Sequence, residues 1–104
     1  MYDMANLKKL GALGKGASKA MEAFWAFDKA ALADGAVPKK YKELIAVAVA
    51  LTTQCPYCLE LHRGAAEAAG ATQEELAETA LVAAALRAGA AVTHASHVIG
   101  GDVA

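Results

Sequence analysis

Apolar side chains recur at three- and four-residue spacing along most of the sequence. Residues 17–32 follow this period, which is typical of an amphipathic helix, and we predict that the helix turns its aromatic side chains inward. The positions concerned are Met21, Phe24, Trp25, Asp28, Ala31 and Leu32. A shorter segment, residues 5–13, precedes this helix and ends in a glycine-bearing stretch, residues 11–16. Asp34 and Gly35 end the longer helix.

The segment that begins at Pro38 predicts a buried helix. Proline suits the first turn of a helix, because the N–H that it lacks has no partner there. Residues 44–51 are apolar on all sides, which is compatible with a buried strand. Their alanines and the lead-in of residues 39–43 favour a helix that runs from Pro38 to about Thr53.

Residues 52–54 interrupt this helix, and the pattern predicts further helices beyond them. One begins near Cys55 or Pro56 and continues to about Ala69, where Gly70 is a natural stop.

A capping box opens the next predicted helix, because Thr72 is followed three residues later by Glu75. Gly89 is expected to break this helix or to allow close packing. A last helical stretch covers residues 90–99 and stops at Gly100.

The composition agrees with an all-α fold, which we predict to be an orthogonal helical bundle forming a single domain over residues 1–104. The chain has 57% hydrophobic residues, many of them alanine, and only two prolines. A domain of this size buries a limited core, so the surplus of apolar side chains favours self-association. The net charge of −1 gives no electrostatic reason to expect nucleic acid or an anionic membrane as a partner.

The sequence predicts a cytoplasmic protein. The lysines near the N-terminus are not followed by an apolar segment of the kind found in secretory signals. The longest strongly apolar run, residues 44–51, is too short to span a bilayer. Since cytoplasmic thiols are normally kept reduced, two closely spaced cysteines are expected to be catalytic or metal-binding.

The two cysteines form the motif C-P-Y-C, with Cys55 and Cys58 at the start of a predicted helix. Thiols at this spacing can close a disulfide with little backbone movement. A helix N-terminus stabilises a thiolate, so we expect a thiol pKa below about 8.5, the value of free cysteine. His62 lies one helical turn beyond Cys58 and can accept the thiol proton. If the helices fold together at residues 52–54, Glu43 can orient the imidazole.

The spacing of Glu43, Cys55, Cys58 and His62 resembles the signature of the alkylhydroperoxidase D-like branch of the carboxymuconolactone decarboxylase family. The apolar helix K-E-L-I-A-V-A-V-A-L and the segment H-A-S-H-V-I-G fit the family too, so the resemblance covers roughly residues 36–100.

The resemblance implies an all-helical domain that assembles as trimers or hexamers and carries a peroxidase-type dithiol. It implies that Cys58 attacks the peroxide, that Cys55 resolves the product, and that His62 and Glu43 relay protons. An organic hydroperoxide would be the substrate, an external dithiol the reductant, and no metal or other cofactor is expected. The alkylhydroperoxidase D proteins have a relay histidine directly before the second cysteine, where this chain has Tyr57.

Other interpretations of the same residues remain open. Cys55 and Cys58 could be small buried hydrophobes, or could bind zinc together with His94 and His97. C-P-Y-C also occurs in glutaredoxins, although no convincing set of strands is predicted here. As alternatives to the peroxidase, the fold could serve as a redox sensor or assembly protein without turnover, or as a small-molecule lyase or isomerase.

Overall fold

The computed structural model describes residues 2–101, and all the regular structure in that range is helical. The prediction of an all-α fold is therefore confirmed. The five α-helices are α1 (Leu10–Gly16), α2 (Ser18–Leu32), α3 (Lys39–Thr53), α4 (Pro56–Ala68) and α5 (Gln73–His94). Short 3-10 helices precede α1 at Met4–Lys9 and follow α5 at Ala95–His97.

Helix α3 is the centre of the fold and packs against both α4 and α5. Its buried apolar side chains are Leu44, Val47 and Ala50, and the buried side chains of the neighbouring helices are the alanines Ala66 and Ala83. The expectation that residues 44–51 are buried on all sides is wrong, because Ile45 and Val49 are each 54% exposed. The face of α3 that carries these two side chains is open to solvent in the described part of the chain.

A two-residue connection folds α4 back against α3. Gln54 adopts the left-handed conformation with φ 57°, which ends α3, and the Cys55 N–H donates to the Ala50 carbonyl at 3.1 Å. Cys55 is extended and caps α4, and Pro56 occupies the first turn. The predicted start of this helix is confirmed, and the tight turn aligns α4 alongside α3.

Helix α5 begins with the predicted capping box. The Glu75 N–H donates to the Thr72 hydroxyl at 3.1 Å, and the Thr72 N–H donates to the Glu75 carboxylate at 2.9 Å. The expected break at Gly89 is wrong, since α5 runs through it without interruption. Nothing lies within 4 Å of the position that a Cβ would take at Gly89, so no close packing occurs there within the chain.

The N-terminal third differs most from its prediction. The glycine-bearing stretch is helical in α1 and does not form a break. The expected inward orientation of the aromatic residues is wrong: Phe24 is 49%, Trp25 47% and Phe27 70% exposed. Helix α2 lies against α1 but makes only limited contact with α3, so within residues 2–101 no helix covers this aromatic face.

The molecule is elongated, with dimensions of 60 × 34 × 31 Å and a radius of gyration of 18.0 Å. A compact chain of this length has a radius of gyration of about 13 Å. Its accessible surface is 7772 Å². A compact monomer of this size exposes about 5,500 Å². Large apolar side chains are exposed on α2, α3 and α5.

The segment Gln73–His97 is 25 residues long and apolar enough to cross a membrane by length and composition. The sequence prediction that no stretch is long enough overlooked it, because its many alanines are individually only weakly apolar. One such helix is weak support for a membrane span, since interface and core helices share its properties. The cytoplasmic location stays a prediction.

Candidate dithiol site

The two cysteines form a disulfide at the N-terminus of α4, with their Cα atoms 5.3 Å apart. Cys55 is the N-cap residue, and its sulfur accepts a hydrogen bond from the Cys58 N–H at 3.2 Å. The sulfur therefore lies where the unpaired amides and the helix dipole favour negative charge. Both cysteines are partly accessible to solvent.

Folding of α4 onto α3 brings Glu43 and His62 together, with 2.6 Å between Glu43 Oε2 and His62 Nδ1. Glu43 is only 2% exposed. Its other oxygen accepts from the Lys39 ammonium at 3.1 Å. Both oxygens of this buried carboxylate are thus satisfied, as a buried charge requires.

The contact with Glu43 fixes the role of each ring nitrogen of His62. A carboxylate accepts hydrogen bonds, so Nδ1 carries the hydrogen, and Nε2 is the lone-pair nitrogen when the ring is neutral. Among the described residues no hydrogen bond joins His62 to either cysteine in this disulfide state. The arrangement can accept a proton at Nε2 and stabilise the resulting imidazolium through Glu43.

A groove of about 490 Å³ opens beside the disulfide. Cys58 and His62 lie on one of its walls, and Cys55 is not among its lining residues. The other lining residues are mainly apolar: Leu7, Leu10, Leu13, Met21, Phe24, Trp25, Asp28, Tyr57 and Leu61. Sequence reasoning missed this role for Phe24 and Trp25, because helical periodicity identifies an apolar face but not what the face borders.

Tyr57, which stands where the resembling proteins have a relay histidine, contacts the N-terminal segment. Its hydroxyl accepts a hydrogen bond from the Asn6 side-chain amide at 3.0 Å, and its ring meets Tyr2 edge-on at 5.0 Å. The residue therefore holds the N-terminal segment against the start of α4, beside the groove.

The structure does not assemble the alternative zinc set. His94 and His97 lie at the end of α5 with ring centroids 5.8 Å apart, and the His94 Nδ1 atom pairs with the Ala90 carbonyl. Over residues 2–101 no group of three or more histidine, cysteine or acidic side chains is placed to hold a metal ion. The glutaredoxin interpretation is wrong as well, because the described fold is entirely helical.

Fold and site together define a small helical protein with a C-x-x-C disulfide and a histidine held by a buried glutamate. The family model described as "Carboxymuconolactone decarboxylase family" matches residues 18–99. The chain therefore belongs to the carboxymuconolactone decarboxylase family.

Individual relatives and solved structures agree with this assignment. A Paracoccus denitrificans protein called "Uncharacterized protein 4 in cox locus" is 45% identical over 102 residues, covering 95% of this chain and 92% of the relative. A family member from Legionella pneumophila, crystallised in its apo form, has a TM-score of 0.74 at 37% identity, covering 86% of this chain and 80% of that one. A Methanobacterium thermoautotrophicum protein has a TM-score of 0.77 at 36% identity, covering 83% and 97%.

Proposed function

We propose that this protein is a dithiol peroxidase of the alkylhydroperoxidase D-like branch, which reduces organic hydroperoxides. The observation that carries the proposal is that His62, held by the buried Glu43, lies one helical turn from Cys58 on the wall of an apolar groove. A general base, its orienting carboxylate and a thiol then share one site, which is the arrangement that activates a nucleophile. No metal or organic cofactor is part of the proposal.

The chemistry begins with transfer of the Cys58 thiol proton to His62 Nε2. The thiolate attacks the terminal oxygen of the hydroperoxide, the O–O bond breaks, and the alkoxide takes the proton from the imidazolium to leave as an alcohol. Cys58 is then a sulfenic acid. The Cys55 sulfur attacks it, the S–S bond forms, and the hydroxyl leaves with the Cys55 proton as water. An external dithiol, small or protein-borne, reduces the disulfide by exchange and is itself oxidised.

The groove favours an organic hydroperoxide over hydrogen peroxide. Leucine and aromatic side chains line most of it, and its volume of about 490 Å³ lies within the range usual for small-molecule sites. An alkyl or aryl group can displace water from these walls while the peroxide oxygens meet Cys58. Hydrogen peroxide has no apolar part to gain from the same contact.

We further propose that the chain assembles with copies of itself, as a trimer or hexamer. The accessible surface of 7772 Å² exceeds that of a compact monomer by roughly 2,300 Å² per chain. A stable interface of standard size buries about 800 Å² per partner, so this surplus is large enough for subunit contacts. The exposed side chains of α5, such as Leu81 and Leu86 at about 70%, provide an apolar face for that contact.

The test is turnover of cumene hydroperoxide with dithiothreitol as the reductant. We expect steady consumption by the wild type and none by Cys58→Ser. Cys55→Ser should accumulate one sulfenic acid per chain, which a dimedone-type probe traps. A wild type that oxidises once and does not turn over would support a redox sensor, and the reverse behaviour of the two variants would overturn the assignment of the attacking thiol.

A further inference from the structure

Lys39 connects the candidate site to the end of α2. Its ammonium donates to Glu43 Oε1 at 3.1 Å and to the carbonyl of Leu32, the last residue of α2, at 3.3 Å. The lysine side chain is 47% exposed, whereas the Glu43 side chain is 3% exposed. Each of the three lysines in the first turn of α3, Lys39, Lys40 and Lys42, has a specific partner in the structure.

We propose that Lys39 is a positioning residue that keeps His62 in its neutral, proton-accepting form. This inference rests on the proposed role of the Glu43–His62 pair. A buried carboxylate with an imidazole as its sole partner gains most when the imidazole is protonated, because that state pairs two opposite charges. Lys39 provides the positive charge from the other side of the carboxylate. His62 then need only donate its Nδ1 hydrogen, and Nε2 remains a base for Cys58.

No other ionisable group described at the site provides a permanent positive charge beside Glu43. The ionisable groups at the site are Glu43 and Lys39 from α3, Asp28 from α2 across the groove, and Tyr57 and Cys58 from α4. Of these, Lys39 is the group with a permanent positive charge at neutral pH. Lys40 pairs with Glu75 at the start of α5, 2.9 Å away, and its charge is directed there.

Lys42 provides a matched control. It also lies in the first turn of α3, and its ammonium donates to the Ala33 carbonyl at 2.6 Å, just beyond the end of α2. Within the described residues it makes no hydrogen bond to Glu43. Both lysines therefore link α3 to the end of α2 by a hydrogen bond, and of the two Lys39 also contacts the carboxylate. Lys42→Met removes such a link alone, whereas Lys39→Met also removes the positive charge beside Glu43.

The experiment is an NMR pH titration of the histidine ring signals in the disulfide-bonded protein, where no thiol titrates. The chain has three histidines, so the His62 signals are assigned with a His62→Gln variant. We expect Lys39→Met to raise the midpoint of the His62 titration relative to the wild type, because a positive charge beside Glu43 is lost. Lys39→Arg and Lys42→Met should leave it in place. His94 and His97 are internal controls and should not move in any variant.

The second readout is the pH dependence of thiol loss when the reduced protein meets cumene hydroperoxide. Lys39→Met should be slower than the wild type near pH 6.5 and approach the wild-type rate near pH 8.5, where His62 is free to accept a proton in both proteins. A merely structural role would lower the rate equally at all pH values. An unchanged His62 midpoint in both Lys39→Met and Lys39→Gln would overturn the proposal. The titration needs no peroxide, so it remains decisive even if the protein consumes none.

Discussion

Replacing Glu43 by glutamine tests the chemical use of the buried pair most sharply. The amide has nearly the same shape, so the α3–α4 contact can be retained while the negative charge is lost. Hydrogen bonds to charged groups contribute about 1.5–3 kcal/mol net. In the wild type that energy stabilises the imidazolium that forms when Cys58 gives up its proton. Since about 1.4 kcal/mol is a tenfold change in rate, Glu43→Gln should slow thiol oxidation roughly ten- to hundredfold.

The assay mixes reduced protein with cumene hydroperoxide at pH 7 and counts the remaining thiols in quenched samples. Glu60→Gln is the control, because Glu60 is an exposed carboxylate of α4 that pairs with Arg63. Its rate should equal that of the wild type. Thermal unfolding of each variant verifies that the fold is retained. A folded Glu43→Gln protein that oxidises within threefold of the wild-type rate would refute the role given to this carboxylate.

Three further predictions follow from the groove, the exposed helix and the capping box. Trp25→Ala should raise KM for cumene hydroperoxide about tenfold, because roughly 1–2 kcal/mol of apolar contact is lost. The rate with hydrogen peroxide should not change. Equal effects on both peroxides would contradict the groove as the binding site. Leu86→Glu should reduce the assembly measured by sedimentation, and an unchanged mass would place the subunit contact elsewhere. The Thr72 backbone N–H and the Lys40 ammonium lower the pKa of Glu75 below 4.5. This contact stabilises the folded state at pH values above the pKa that Glu75 has in the unfolded chain. The stabilisation is lost as the pH falls through the lower pKa of Glu75 in the folded protein. Urea unfolding of Glu75→Gln should therefore show a smaller loss of stability on acidification below pH 4.5 than the wild type, and an equal loss would count against the stabilising contact.

Local patterns were sufficient to predict the helices around the site. The capping box at Thr72, the stop at Gly70 and the start of α4 depend on hydrogen bonds within a few residues, so the sequence contains them directly. Gly89 shows the limit of this reasoning. A glycine lowers helix propensity by about 1 kcal/mol, which the many strong helix formers around it outweigh.

The candidate site could be predicted only in part. The spacing of Cys58 and His62 follows from one helical turn, whereas the approach of Glu43 depends on the α3–α4 turn at Gln54, whose left-handed conformation no residue pattern required. Lys39 and Glu43 have the four-residue spacing of a helical ion pair. Their significance comes from the burial of Glu43, which is a property of the packed structure.

The exposed aromatic face of α2 could not be assigned from the sequence. Periodicity gave the correct apolar positions of α2. Phe24 and Trp25, however, border the groove beside Cys58, and no other helix of the described residues covers them. An apolar face can pack against another part of the same chain or against another subunit. The local sequence does not determine which of these contacts forms.

The most direct test of the central claim is a thiol count on the reduced protein before and after a slight excess of cumene hydroperoxide, with the rate followed against pH. We predict the loss of both thiols per chain, the appearance of one Cys55–Cys58 disulfide, and a rate well above that of free cysteine at pH values far below about 8.5, where a free thiol remains protonated. Thiols that survive this treatment, or that react no faster than free cysteine, would contradict a peroxidatic dithiol at this site.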